Sequence, residues 1–217
     1  MLQGPSPRDA LAASGFEKSL AKFGLRVAAH KSFVLGGDPR QREKNDPALL
    51  TSGVDYDVIH VSDESLEFAR DLIFVGQKPR PVIGAVGVEA MAWHWTFDLY
   101  GAPQVTSRFA RANAGRHMGA QDWAAWMAAR MIAQAALQRG SDFAAQRNYI
   151  LKEAQFDGSK GAAVSLRPWD NQLRQPILLA SDLAVIGAAP LPGFLHATDT
   201  LDTLGDDRQE TTCRMTR

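Results

Sequence analysis

Several things are scarce in this sequence, and each scarcity excludes a class of protein. There is one cysteine, Cys213, in 217 residues, so no internal disulfide and no cysteine-built zinc site can form. Cys213 sits among polar residues near the C-terminus and reads as a surface thiol. Charge of one sign is also absent: 24 Lys+Arg stand against 24 Asp+Glu. That balance argues against a nucleic-acid partner recognised through bulk charge. No apolar run approaches the roughly 20 residues that span a bilayer, so the chain does not read as membrane-embedded. The opening Met1-Leu2-Gln3-Gly4-Pro5-Ser6-Pro7 lacks a basic stretch followed by an apolar one, and as written carries no export signal. Gly and Pro, at 18 and 11 residues, are near average use, which excludes collagen-like and low-complexity chains. With 45% hydrophobic and 22% charged residues, what remains is a globular chain, long enough for one large domain or two lobes.

Catalytic signatures are missing as well. There is no G-x-S-x-G elbow, no H-E-x-x-H helix, no G-x-G-x-x-G and no P-loop. Gly84-Ala85-Val86-Gly87 is half a dinucleotide loop without its third glycine. Gly158-Ser159-Lys160-Gly161 has a lysine but no glycine run leading into a helix, so both stretches read as plain turns. The five histidines (His30, His60, His94, His117 and His196) share no ligand spacing on a helix face, so no metal site is expected. Asp63-Glu64 and Asp206-Asp207 are adjacent pairs whose side chains diverge, which is not an acid/base arrangement. Asp206-Asp207 reads as a solvated tail. Asp63-Glu64 follows an apolar strand, where α/β proteins bind ligands, and equally suits the cap of a following helix.

What is present is an alternation of elements. Helical spacing runs from about Arg8 to Phe23 and stops at Gly24. Leu25 to Val34 reads as a strand, Gly36-Gly37-Asp38-Pro39 as a turn and Arg40 to Leu50 as a helix. Tyr56 to Val61 is a β-branched strand, Glu64 to Leu72 a short helix, and Val82 to Val86 another strand. This alternation predicts an α/β layer with a parallel sheet, its apolar strands covered on both faces. Further on, helices are expected over Val105 to Asn113, Asp122 to Leu137 and from a Ser141-Asp142 cap to Glu153. Short strands follow at Val164 to Leu166 and Gln175 to Ala180, with Leu183 to Ala188 returning as a hairpin. From Ala197 onward the chain is polar and reads as loosely held. Trp123 and Trp126, spaced i and i+3 on an Ala-rich helix, read as core. Trp93-His94-Trp95 suits core packing and the lining of a ligand cleft about equally.

Taken together, several stretches resemble a known family. They are Leu2 to Pro7, Gly36 to Arg40, Tyr56-Asp57-Val58 with Asp63-Glu64, Pro79 to Gly84, Ala92-Trp93-His94-Trp95, Gly101 to Gln104, Asp122 to Trp126, Arg167 to Asp170 and Leu173 to Ile177. The chain resembles the C-terminal part of type I periplasmic binding proteins of the Leu/Ile/Val-binding kind. More narrowly, it resembles the substrate-binding subfamily associated with PQQ-dependent alcohol dehydrogenase systems. The resemblance implies an α/β, two-lobe fold, here incomplete, with parallel-sheet layers flanked by helices. Residues 1–90 would be most of the C-terminal lobe, 91–165 would belong to the N-terminal lobe, and 166–217 would supply crossover strands and a tail. Family members are longer and open with a signal peptide and a first lobe, so the chain reads as a fragment of a periplasmic protein.

The implied function is non-enzymatic binding of a small-molecule ligand, with no catalytic residue, metal or cofactor. An ABC transporter permease or the PQQ-dependent dehydrogenase would be its partner. The expected ligand-facing residues are Asp63, Glu64 and Val86 at two strand ends, and Trp93 and Trp95. A cytoplasmic ligand-sensing regulatory domain of the same fold is the alternative, and an α/β enzyme a more remote one.

Overall fold

The computed structural model describes residues 1–36, 38–193 and 195–213, and at Arg42 the backbone alone. The chain divides into two compact units, Met1–Val88 and Glu89–Arg217.

The first unit begins with strand β1 (Leu2–Gln3), then helix α1 (Pro7–Lys22). Ser6 starts α1 through a reciprocal cap. Its Oγ accepts the Asp9 amide at 3.0 Å, while Asp9 Oδ2 accepts the Ser6 amide at 2.9 Å. Pro7, which has no amide hydrogen to leave unpaired, fits the first turn. Gly24, at φ 68°, ends the helix. Strand β2 is only Lys31–Ser32. The expected strand from Leu25 therefore shrinks to two residues, because two-residue β1 is the only strand it pairs with among the described residues. Gly37 of the expected turn lies outside the described residues.

The expected helix over Arg40 to Leu50 is interrupted. It resolves into α2 (Pro39–Arg42), a 3-10 turn (Glu43–Asn45) and α3 (Pro47–Leu50). Pro47 cannot continue a helix from the preceding turn and instead starts a new one, capped by Asp46. Strand β3 (Ile59–Ser62), helix α4 (Ala69–Val75) and strand β4 (Val82–Gly84) complete the unit. All pairings are parallel, in the order β2-β1-β3-β4. Ile59 and Val61 of β3 pack with Leu2, Phe33, Phe68 and Leu72, whereas His60 stacks on Phe16 of α1, ring centroids 3.8 Å apart. That alternation is the period of two expected of a strand between two layers. The sequence-predicted parallel sheet flanked by helices is thus present in this unit.

The second unit opens with strand β5 (Glu89–Met91) and helices α5 (Ala102–Ala112), α6 (Ala120–Arg139) and α7 (Phe143–Asn148). A π turn, Tyr149–Glu153, prolongs α7. At the start of α6, Arg116 makes two 2.8 Å bonds to Asp122, which also accepts the Gly119 amide. These bonds hold the Asp122 carboxyl down at about 2. Strands β6 (Phe156–Asp157), β7 (Ala163–Leu166) and β8 (Leu173–Arg174) form one antiparallel sheet. Strands β9 (Ile177–Ala180) and β10 (Val185–Ala189) form the expected hairpin, with β5 antiparallel on the other side of β9. The parallel sheet is therefore confined to the first unit. The core here is aromatic: Trp93 stacks on Trp123 at 6.2 Å and meets Phe97 edge-on, with Met127, Phe156 and Leu178 around them.

The expectation of a loosely held segment from Ala197 is corrected. A 3-10 turn, Thr200–Thr203, buries Leu201 and Asp202. Asp202 Oδ1 accepts from Arg167 Nε at 2.9 Å and Arg174 Nε at 2.7 Å, and Oδ2 accepts from Arg174 at 2.7 Å. Arg167 also donates to the carbonyls of Leu201 and Leu204. Burial would raise the Asp202 carboxyl, but the two guanidiniums outweigh it and hold it below the ordinary carboxylate value. Cys213 is free and exposed, as the sequence indicates.

Candidate functional site

At the carboxyl ends of the parallel strands of the first unit, the backbone turns outward at Gly4, Ser62 and Gly84. The Gly4 amide donates to the Ser62 carbonyl at 2.8 Å, extending the β1–β3 pairing to the crest of the sheet. Side chains there form one polar network. Asp9 Oδ1 accepts the Glu64 amide at 2.7 Å. Ser6 Oγ donates to Glu64 Oε2 at 3.1 Å, and Arg8 donates to Glu64 Oε1 at 2.5 Å. A side chain at Gly4 would strike Asp9 at 2.4 Å, so glycine is what lets the Asp9 carboxylate lie across the strand end.

Asp63 is buried. Its Oδ1 accepts from the Ser65 amide at 3.1 Å and hydroxyl at 2.7 Å. Its Oδ2 accepts from the amides of Phe68 at 2.8 Å and Ala69 at 2.9 Å. It is therefore the acceptor that tethers the first turn of α4, reached across a loop in which Leu66 adopts φ 57°. This explains why α4 starts at Ala69 and not at Glu64: the cap acts from six residues upstream, after an intervening turn. Glu64 is partly exposed, with both oxygens engaged. Val86 is half-buried beyond β4, its amide donating to the Gly84 carbonyl at 2.8 Å, and it packs on the edge of the core. The Ser62 hydroxyl is buried with no hydrogen-bond partner among the described residues.

The aromatic residues singled out in the sequence lie in the second unit and part company there. Trp93 is 1% exposed and belongs to the core stack. Trp95 is 40% exposed and stacks on His117 at 4.0 Å, with His94 tilted beside it and tied to Thr96 at 2.7 Å. Of the five expected residues, Asp63, Glu64 and Val86 share the strand ends of the first unit, while Trp95 is the exposed member of the second-unit pair.

Two titratable groups escaped sequence reasoning. Lys160, in the Gly158-Ser159-Lys160-Gly161 turn, is buried. Its ammonium lies 3.8 Å from the Trp123 ring centroid and donates to Gln175 Oε1 at 2.5 Å and the Pro176 carbonyl at 3.0 Å. Burial pushes it down to about 7. Nothing local marks a lysine between glycines as buried, because its acceptors come from residues 15 and 16 positions on. His60 is pushed down to about 4 by burial and then by the positive chain terminus. Among the described residues, no group of three or more His, Cys, Asp or Glu could hold a metal ion. No described helix is long and apolar enough to cross a membrane. Chemically, the crest offers hydroxyls, carboxylates engaged by donors, and backbone groups at strand ends.

No family profile and no curated protein matches the sequence. Among solved structures, the chain is similar to an ABC transporter substrate-binding protein from Sphaerobacter thermophilus. The TM-score is 0.62 at 16% identity, over 87% of this chain and 59% of that one. At that identity the likeness is one of fold, and the chain spans 59% of the neighbour's length. The architecture is thus α/β, with a helix-flanked parallel sheet in the first unit, and similar in fold to that neighbour.

Proposed function

We propose that this chain is a non-enzymatic solute-binding protein of the ABC transporter type, acting in the periplasm as part of a longer two-lobe protein. The observation that carries this reading is the fold likeness, which extends over 87% of the chain. The crest is compatible with it, since its carboxylates accept from backbone amides and from Arg8 and thereby orient the strand ends. Residues 1–90 would make most of one lobe, 91–165 would belong to the other, and 166–217 would cross back. Glu64 and Val86 would be the solute-facing residues of the first unit, and Trp95 that of the second. Asp63 and Trp93, both buried, would hold those positions in place.

The narrower reading, from the family resemblance, is service to a PQQ-dependent alcohol oxidation system, with the transporter permease or the dehydrogenase as partner. Calorimetric titration of the full-length encoded polypeptide tests both levels. Short alcohols, their carboxylate oxidation products and branched amino acids are the panel. The expected result is saturable binding of one class, weakened about tenfold by Glu64→Ala or Trp95→Ala. Binding of none would overturn the transport reading. Selective binding of amino acids would overturn the link to alcohol oxidation alone.

A further inference from the structure

Helix α6 does not have the outer face of a water-covered helix. From Ala124 to Leu137 it carries a single charge, Arg130. That guanidinium pairs with Asp157 at 3.6 Å and lies 5.1 Å from the Trp126 ring centroid. A surface helix turns a charged face to solvent, whereas one that is apolar all round is covered on all sides. One side of α6 is covered, since Trp123 and Met127 are 1% exposed within the aromatic core. On the outer side Ile132 and Leu137 are exposed at 60% and 86%, and Phe143, at the start of α7, at 77%. Ile132 and Phe143 share a groove of about 530 Å³ with Ile150 and Leu151. Exposed apolar side chains gathered beside a groove mark an interaction surface, where single ones do not. Arg147, the charged residue of the groove lining, makes no hydrogen bond or ion pair among the described residues.

Two observations identify what covers this face. The fold neighbour is the longer protein, and this chain spans 59% of it, so a large part of that fold has no counterpart here. The second unit also has three helices but, among the described residues, only antiparallel strand pairings. In α/β layers the apolar faces of helices cover a sheet that is mostly parallel. The first unit has such a sheet and the second does not. We propose that the outer face of α6, with its groove against α7, seats a further β-sheet supplied by polypeptide of the same encoded protein outside residues 1–217. The apolar face of that sheet covers Ile132, Leu137 and Phe143, and an acceptor at its edge meets Arg147. The inference rests on the two-lobe reading and names the contact surface which that reading requires.

The test is photo-cross-linking of the full-length encoded polypeptide with benzoyl-phenylalanine in place of Phe143, the linked peptides being identified by mass spectrometry. The expected product is an intramolecular link to a peptide outside residues 1–217. A link to a second copy, a link back into residues 1–217, or no link would each overturn the inference. A second variant covers the case in which the bulky ring disturbs folding. Ala136→Cys, at an exposed position one turn beyond Ile132, is labelled with a maleimide, and the exposed native Cys213 serves as the reference. Ala136→Cys should react about tenfold more slowly than Cys213 in the full-length polypeptide, because labelling there requires local opening, and as fast as Cys213 in residues 1–217 alone. Equal rates in the full-length polypeptide, or slow labelling in residues 1–217 alone, would overturn the inference. The transport reading fails separately: a polypeptide that gives the cross-link and binds none of the solute panel overturns that reading alone, and one that binds a solute without the cross-link overturns this inference alone.

Discussion

The two units solve the problem of buried charge in opposite ways. In the first, carboxylates are neutralised by backbone amides: Asp63 accepts from Phe68 and Ala69, and Asp9 from Ser6 and Glu64. Most of these partners lie close in sequence, the Glu64 amide on Asp9, 55 residues away, being the exception. In the second, buried charges meet each other or an aromatic face over long separations. Asp202 joins Arg167 and Arg174, 35 and 28 residues away, and Lys160 sits on Trp123. Amide-capped carboxylates add to helices that would form anyway. A long-range ion cluster instead pins chain segments that have little regular structure of their own. The difference predicts that charge removal damages the second unit more than the first.

The largest effect should come from Asp202→Ala, which removes the buried carboxylate shared by Arg167 and Arg174 and leaves them only Asp170 at 4.0 Å and Asp199 at 3.3 Å. Loss of one partner of a buried pair costs about 3–5 kcal/mol. Hydrogen exchange should localise the loss to Thr200–Thr203 and to β8, with the first unit unchanged. An equal loss of protection in β3 would break the contrast between the units.

Next comes Lys160. The unfolded chain keeps its proton up to about 10.5, the folded one only to about 7. The folded state is therefore relieved of a buried ammonium as pH rises from 7 to 10.5. Stability should increase over that window by roughly 2–4 kcal/mol, less whatever the Trp123 face and the two carbonyls already contribute. In Lys160→Met the slope should vanish, as read from denaturant midpoints at several pH values.

His60 gives an effect of the same sign in the first unit, over a lower pH window. Its folded value of about 4 lies below the unfolded 6.5, so protons favour the unfolded chain. The contribution is fully present above pH 6.5 and is lost as pH falls toward 4, by roughly 2 kcal/mol for a half-buried ring. Substituting His60→Phe should flatten that acid limb while keeping the stack on Phe16.

Smaller again is Asp63→Ala. Removing a helix cap costs about 0.5–2 kcal/mol, and protection should fall in α4 (Ala69–Val75) alone. Spread of the loss into the second unit would contradict the separation of the two charge schemes.

The same contrast explains what could be read from sequence. Helix α6 was legible because Trp123, Trp126, Met127 and Met131 recur at helical spacing on an Ala-rich stretch that Gly140 ends. Strand β3 was legible from its β-branched run, and the β9–β10 hairpin from its turn. Two-residue strands such as β1 and β2 leave no periodicity to detect, although β1 is a central strand of the parallel sheet. The start of α4 was misplaced because an acceptor at Asp63 acts across a loop. Asp202 lies in a short polar stretch whose partners are remote, so composition suggested a tail where the structure has a tie. Of the candidate site, the strand-end location of Asp63-Glu64 and Val86 was visible in the order of elements. That Trp93 is buried while Trp95 is exposed was not, since alternation within a turn has no sequence period.

The solute-binding reading rests on a fold likeness, and one measurement decides whether the fold binds a solute. Thermal and denaturant unfolding of the full-length encoded polypeptide should be followed with and without each solute of the panel, at concentrations that saturate calorimetric binding. A ligand at a hundred times its Kd should add about 2.7 kcal/mol to stability, with the added protection including the crest at Ser62–Ser65, and with Glu64→Ala reducing the gain. A polypeptide whose unfolding is unmoved by every solute, or which converts a solute to product, would contradict a non-enzymatic binding role.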